Sequence, residues 1–350
     1  MVTLAVGTEK GGYLVDGAPD RGWELAGPLF PGWKVTAWTS HDGQTIAALA
    51  SNWFGASIHR APRSRHADPE AWQQAPGVPT YEQDAEGAPR LQEIWTLTHW
   101  GDSIVAGVED AGLFTSEDGG VTWQGVESFN MLPDRANWFP GLGGLAAHRV
   151  LVADGRAWVG VSAVGVFRSD DDGATFRRVD EGVAPVIPES EEEGTPAGWC
   201  VHGLAHDPRD PARIWRQDHS GVYRTADGGD TWERIERGLP AAFGFPMWRD
   251  DASGRLFVVP LEADENRVPV DGRFGAWCSD DDGDSWRPAG TGWPGHPTYT
   301  AVLRGALTGD GDGGVFCGTT SGAVWASDDA GERWSPVPVT LPRVLSVAVV

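Results

Sequence analysis

Apolar and polar positions fall in alternating blocks along this chain. Five short apolar segments each open on glycine: Gly112-Leu113-Phe114-Thr115, Gly165-Val166-Phe167-Arg168, Gly221-Val222-Tyr223-Arg224, Gly275-Ala276-Trp277-Cys278 and Gly322-Ala323-Val324-Trp325. Each is followed by a polar stretch of Ser or Thr, Asp and Gly, directly or, in the fifth, after Ala326, and each polar stretch closes on an aromatic residue. Apolar runs of strand length bounded by turn residues predict strand-turn-strand hairpins.

The polar stretches are copies of one pattern. Ser116-Glu117-Asp118-Gly119-Gly120-Val121-Thr122-Trp123 returns at 169–176, 225–232, 279–286 and 327–334. The shared form is S/T-x-D-x-G-x-T/S-W/F, carried by Ser169, Asp171, Gly173 and Phe176, by Thr225, Asp227, Gly229 and Trp232, by Ser279, Asp281, Gly283 and Trp286, and by Ser327, Asp329, Gly331 and Trp334. Arg333 is the one departure, standing where the other copies have a hydroxyl. The Asp can accept bonds from nearby backbone N–H groups, the second Gly permits positive φ, and the hydroxyls satisfy further turn groups. This pattern resembles the Asp box, or BNR repeat, of sialidases, sortilin-type receptors and photosystem II assembly-factor-type propellers. The resemblance implies turns that are structural and join the third and fourth strands of a four-stranded sheet.

The closing aromatics at 123, 176, 232, 286 and 334 are separated by 53, 56, 54 and 48 residues, and the same period stepped backwards lands on Trp72 and Trp23. Seven units of about 50 residues predict an all-β, seven-bladed β-propeller of four-stranded antiparallel blades occupying 1–350 as one domain. The chain opens on Thr3-Leu4-Ala5-Val6-Gly7, which reads as a second strand, and finishes on Arg343 through Val350, which reads as a first strand. The C-terminal strand is therefore expected to pair into the N-terminal blade and remove the open edges.

Charge and cysteine usage narrow the function classes. With 27 Lys+Arg against 50 Asp+Glu, a net charge of -23 argues against nucleic acid and anionic membrane, because binding either depends on cationic neutralisation of phosphate. No run reaches the roughly 18 apolar residues of a membrane span, and the N-terminus has no basic region followed by a long apolar one, so the expected location is the cytoplasm. Cys200, Cys278 and Cys317 lack metal-ligand or CxxC spacing and read as small buried apolar residues; no metal and no cofactor is expected. The acidic runs 170–172, 280–282 and 310–313 also fail the calcium-loop pattern.

Candidate chemistry lies on the face opposite the repeat turns, where second-to-third strand loops and blade-to-blade loops gather. Asn52, Trp53, Trp138, Trp199 and Tyr299 are candidate ligand contacts, with Trp53 and Trp138 read as exposed stacking platforms. Gln217, His219, Arg267 and Arg304 are candidate polar contacts. His202, His219, Glu109 and Glu262 are the candidate catalytic residues, Glu262 reading first as an ion-pair partner of Arg267 or Arg304. Further loop-borne groups are Tyr81-Glu82-Gln83-Asp84, Asp264-Glu265 and the acidic run Glu189-Ser190-Glu191-Glu192-Glu193, this last a solvated loop.

Two function classes follow. The first is a binding propeller, expected as a monomer, whose upper face takes a partner protein or a small ligand, carbohydrate included. The alternative is a glycoside hydrolase using two carboxylates among Glu109, Glu262 and Asp134, or a uronate lyase with His219 or His202 as base and Arg267 or Arg304 on the uronate. Sialidase activity is not expected. Resemblance to sialidases implies three carboxylate-binding arginines, a Tyr nucleophile and an Arg-Ile-Pro motif, whereas Arg213-Ile214 is followed by Trp215 and Arg234-Ile235 by Glu236, and sialidases have six blades. Assembly-factor-type propellers carry an arginine-rich surface that a chain of this charge does not advertise.

Overall fold

The computed structural model describes residues 1–82, 89–141, 144–186, 198–263 and 266–350. These form seven four-stranded antiparallel sheets arranged as the blades of a propeller, nearly all β, with one short α-helix, Glu127–Asn130, among the described residues. Blades 2 to 7 each run in chain order from innermost to outermost strand. Their innermost strands are Lys34–His41, Glu93–Trp100, Ala147–Ala153, Val201–Asp207, Phe243–Arg249 and Leu307–Gly309. Blade 1 is composite: the C-terminal strand Val344–Val349 pairs antiparallel with Val2–Thr8, placing Leu4 opposite Val349 and Ala5 opposite Ala348. The expected closure by the C-terminal strand is observed.

Blades are covered on both faces by their neighbours, so second strands are near-continuous apolar runs, such as Ile46-Ala47-Ala48-Leu49 and Leu256-Phe257-Val258-Val259, all 0–1% exposed. The core is accordingly a set of inter-blade seams. Leu151, Trp158 and Val166 of blade 4 pack on Val201, Leu204 and Ile214 of blade 5, with Trp232 closing that seam.

The five repeat turns share one hydrogen-bond scheme. In the first, Ser116 Oγ donates to Asp118 Oδ1 at 2.8 Å and accepts the Gly120 N–H at 2.8 Å, while the Thr122 N–H and hydroxyl donate to Asp118 Oδ1 and Oδ2 at 2.9 and 2.6 Å. Arg333 restores the missing hydroxyl's contact by donating from Nε to Asp329 Oδ2 at 3.0 Å. The second glycine is needed for its backbone: φ is 87° at Gly120 and 101° at Gly229, a region L-residues disfavour. The closing aromatics turn inward to the seams. Trp232 Nε1 donates to Val179 O at 2.9 Å and Trp286 Nε1 to Ile235 O at 2.8 Å, each joining its own blade to the segment following the preceding one.

The faces separate as follows. Repeat turns bond to first-to-second strand turns: the N–H of Asp172 donates to Gly155 O, that of Gly228 to Ala212 O and that of Ala330 to Gly313 O. On the opposite, upper face, second-to-third strand turns bond to the segments entering each blade: the N–H of Ala111 donates to Leu145 O, that of His219 to Cys200 O and that of Thr320 to Ala301 O.

Candidate functional site

The innermost strands begin at the upper face, and their first residues at alternate positions turn into the central channel. Lys34 and Thr36 come from blade 2, Glu93 and Trp95 from blade 3, His148 from blade 4, Phe245 from blade 6, Arg304 from the segment entering blade 7 and Leu345 from blade 1. Together with Glu109 and Arg267 they line a funnel of about 540 Å³. A second cavity, of about 520 Å³, lies to the side under the connection after blade 3, lined by Tyr81, Met131, Leu132, Pro133 and Arg135. The central funnel holds the denser set of titratable groups.

Its charges are partly matched. Lys34 Nζ lies 3.4 Å from Glu93 Oε2, and Arg343 Nε lies 3.5 Å from Glu9 Oε1. Trp95 Nε1 donates to Glu109 Oε2 at 3.1 Å. Glu93 and Glu109 face each other across the first two strands of blade 3. Burial raises both carboxyls above the usual carboxylate range, against the opposing effects of Lys34 on Glu93 and of the Trp95 bond on Glu109. Arg304 has no carboxylate partner among the described residues. Its guanidinium lies 4.9 Å from the Phe245 ring centre and 5.9 Å from that of Trp95. Beside it, His148 is 5% exposed and neither ring nitrogen has a hydrogen-bond partner of good geometry. Burial and the nearby guanidinium hold that imidazole neutral, well below its ordinary pKa.

A compact cluster adjoins the funnel wall. Cys200 Sγ lies 3.4 Å from His202 Nε2, and His202 Nδ1 donates to Gly244 O at 2.6 Å. His219, at the end of the returning hairpin, brings its ring to 5.7 Å from that of His202, centre to centre. Phe243 and Phe245 stack against the cluster. Burial would raise the Cys200 thiol, but His202 and Arg304 outweigh it and bring it down to about 6.

The structure distributes the sequence candidates widely. Glu109, Arg267 and Arg304 line the funnel, and His202 and His219 stand in the adjoining cluster. Asn52 and Trp53 occupy an exposed turn of blade 2, where Trp53 is 89% exposed and its neighbour Phe54 stacks on Trp33. Tyr299 is exposed on the segment entering blade 7. Glu262 accepts a bond from Asn266 Nδ2 at 3.2 Å inside its own loop. Trp138 is not the exposed platform expected: it is 6% exposed, because the connection after blade 3 folds back and drives the indole into the seam against Phe129 and Phe167. Trp199 is likewise buried, Nε1 donating to Val183 O at 3.1 Å under the Arg178 guanidinium. Gln217 is buried too, its amide bonded to Asp218 O and Ala242 O. Gln83, Asp84, Asp264, Glu265 and the run Glu189–Glu193 lie outside the described residues.

Cys278 and Cys317 are core residues as expected, but Cys200 is half-buried among polar groups. Sequence reasoning also passed over Lys34, Glu93, Trp95 and His148. Their signal was positional, since each lies within the first three residues of an innermost strand.

No family model and no curated protein matches this chain. Solved structures do. The chain resembles YCF48 bound to D1 peptide (15% identity, TM-score 0.53, covering 86% of this chain and 80% of that one) and YCF48 from Cyanidioschyzon merolae (12%, 0.51, 89% and 87%). It also resembles the WD40 β-propeller domain of Doa1 (10%, 0.58, 95% and 91%). The likeness is one of fold. This chain is a seven-bladed β-propeller. Its funnel is thus a site at the channel mouth of a scaffold that hosts many functions, and the function must be argued from the side chains that line it.

Proposed function

We propose that this propeller is a binding protein whose upper funnel receives an anionic group, a carboxylate above all, presented by a partner protein segment or a small acid. The observation that carries this reading is Arg304: a half-buried guanidinium in a cavity wall, with no carboxylate partner among the described residues and aromatic faces on two sides. Its anionic neighbour in the fold is the Cys200 thiol, and an incoming carboxylate would supply the two-oxygen partner that a lone sulfur does not. That YCF48 has been solved with a D1 peptide supports a peptide as one form of this ligand.

The test is a thermal-shift and calorimetric screen of peptides with free or amidated C-termini, uronic acids, neutral sugars and phosphosugars against the parent and Arg304→Met. A ligand at 100 times its Kd stabilises the native state by about 2.7 kcal/mol. The expected result is a shift with carboxylates in the parent that amidation and Arg304→Met both abolish. An equal shift in Arg304→Met, or no response to any carboxylate, overturns the reading.

The enzyme alternative rests on one observation, the facing pair Glu93 and Glu109, both raised by burial and both in the funnel. One protonated and one ionised carboxyl is the arrangement glycoside hydrolysis uses. It predicts turnover of glycosides or uronides that Glu109→Gln abolishes without loss of binding.

A further inference from the structure

We propose that Cys200, His202 and His219 form a transition-metal site of the zinc class, with one thiolate and two imidazole ligands and an open fourth position. The three ligand atoms lie within 4.8 Å of one another. For a tetrahedral ion with Zn–S near 2.3 Å and Zn–N near 2.0 Å, the S···N separation is about 3.5 Å. Cys200 Sγ and His202 Nε2 are 3.4 Å apart, so this pair already has the required span.

The orientation of His202 fits the same role. Its Nδ1 faces the carbonyl of Gly244 at 2.6 Å and must donate, which leaves the Nε2 lone pair directed at Cys200. A ligand imidazole fixed through its other nitrogen by a backbone carbonyl is the usual outer support of a metal-bound histidine. His219 sits on the turn closing the same hairpin, with its backbone N–H bonded to Cys200 O at 3.0 Å, so the third ligand is tethered to the first. To reach tetrahedral spacing its ring need move by about 1 Å, which a half-buried turn side chain can do. Phe243 and Phe245 supply an apolar wall, and Ser162 Oγ lies 3.6 Å from Sγ, within reach to donate to the thiolate. Thiolate with imidazole selects zinc-class ions over the oxygen-seeking Mg²⁺ and Ca²⁺. His202 is 2% exposed while Cys200 and His219 are half-buried, so the cluster is reached from the Cys200 and His219 side, where the metal would take a water or a ligand atom.

The experiment uses the untagged full-length chain, reduced and stripped with chelator, titrated with Co²⁺ as the probe. The expected result is saturation at one equivalent with a thiolate-to-cobalt charge-transfer band and tetrahedral d–d bands, both removed by Zn²⁺. Cys200→Ser loses the charge-transfer band, and His219→Ala, on the turn, weakens binding on the order of tenfold or more. Near-UV circular dichroism of each variant verifies the fold, and His219→Gln replaces His219→Ala if the latter does not fold. Absence of a charge-transfer band, its survival in Cys200→Ser, or unchanged affinity in the His219 variant overturns the proposal. Arg304 adjoins Cys200, but the cobalt bands report the metal alone and are read without any carboxylate ligand, so the site stands or falls separately from the binding reading.

Discussion

Replacing Arg216 by Met tests how the upper-face hairpin of blade 5 is held in place. Arg216 is 0% exposed, and its guanidinium bonds to both Asp180 and Asp218, the Nε donating to Asp218 Oδ2 at 2.8 Å. Asp180, from the segment after blade 4, also accepts the Val166 N–H at 3.1 Å and lies 3.2 Å from Arg178 Nε, so the cluster rivets two blades together. Methionine keeps much of the volume and removes the charge, leaving two buried carboxylates facing an apolar group. Breaking a buried ion pair from one side costs about 3–5 kcal/mol. At roughly 2–4 °C per kcal/mol, with the lower end appropriate to a chain this long, Tm should fall on the order of 10 °C. Arg21→Met is the control: its side chain is 68% exposed, and its loss should stay within about 0.5 kcal/mol. The pH dependence gives a second reading. Burial raises the Asp180 carboxyl above its ordinary range even with Arg216 and Arg178 opposing it. A carboxyl raised on folding adds stability below its unfolded pKa and loses it as pH rises through the folded value. Removing Arg216 exaggerates this, so the deficit should be smaller at pH 5 than at pH 8. The triple variant Arg216→Met/Asp180→Asn/Asp218→Asn should recover most of the loss, because no charge remains buried. A single variant melting within about 2 °C of the parent at pH 7.5 would refute the argument.

Three other outcomes are expected. Deleting residues 343–350 removes the innermost strand of blade 1 and exposes the edge of Val2–Thr8, so far-UV circular dichroism should show loss of cooperative melting. In the repeat turns, burial opposes ionisation of Asp227, but bonds from Thr225, Thr231 and Gly229 bring its carboxyl down to about 2. Its contribution is present above about pH 4 and lost as pH falls toward 2, so Asp227→Asn should flatten the acid limb of a pH–stability curve relative to the parent. Iodoacetamide on the native, metal-free chain should label Cys200 alone, since Cys278 and Cys317 are 0% exposed; peptide mass mapping that finds either core cysteine labelled first contradicts the packing.

The blades were legible in the sequence because their determinants are local. Asp118, Gly120 and Trp123 act within eight residues, and the scheme survives even Arg333, whose guanidinium takes over the bond a hydroxyl makes elsewhere. Closure was legible for a related reason, as Val2–Thr8 reads as a second strand lacking a first and Val344–Val349 as a first strand lacking a second. Loop residues were not. Apolar character alone does not separate Trp53, which projects from a tight turn, from Trp138, whose long connection has enough chain to fold back and bury it. The funnel was hidden for another reason. Lys34, Glu93, His148 and Arg304 come from different blades and share no local motif, only a place near the start of an innermost strand.

The Cys200 cluster marks where one further inference from sequence would have sufficed. Cys200, just before the innermost strand of blade 5, and His202, within it, are two apart in extended chain with Sγ and Nε2 in contact, and the hairpin that follows returns in a register pairing Val201 with Asp218. That register sets His219 opposite Cys200, a contact the backbone bond between them makes directly. Composition assigned all three cysteines to the core, which holds for Cys278 and Cys317 in mid-blade strands. It fails for Cys200 because this residue, just before the innermost strand of blade 5, meets His202 and His219 in place of an apolar seam. In a propeller, the functional question put to a sequence is therefore which residues lie within about three positions of the start of the innermost strand in each of the seven units, and His202, Phe245 and Arg304 answer it together though some fifty residues separate one from the next.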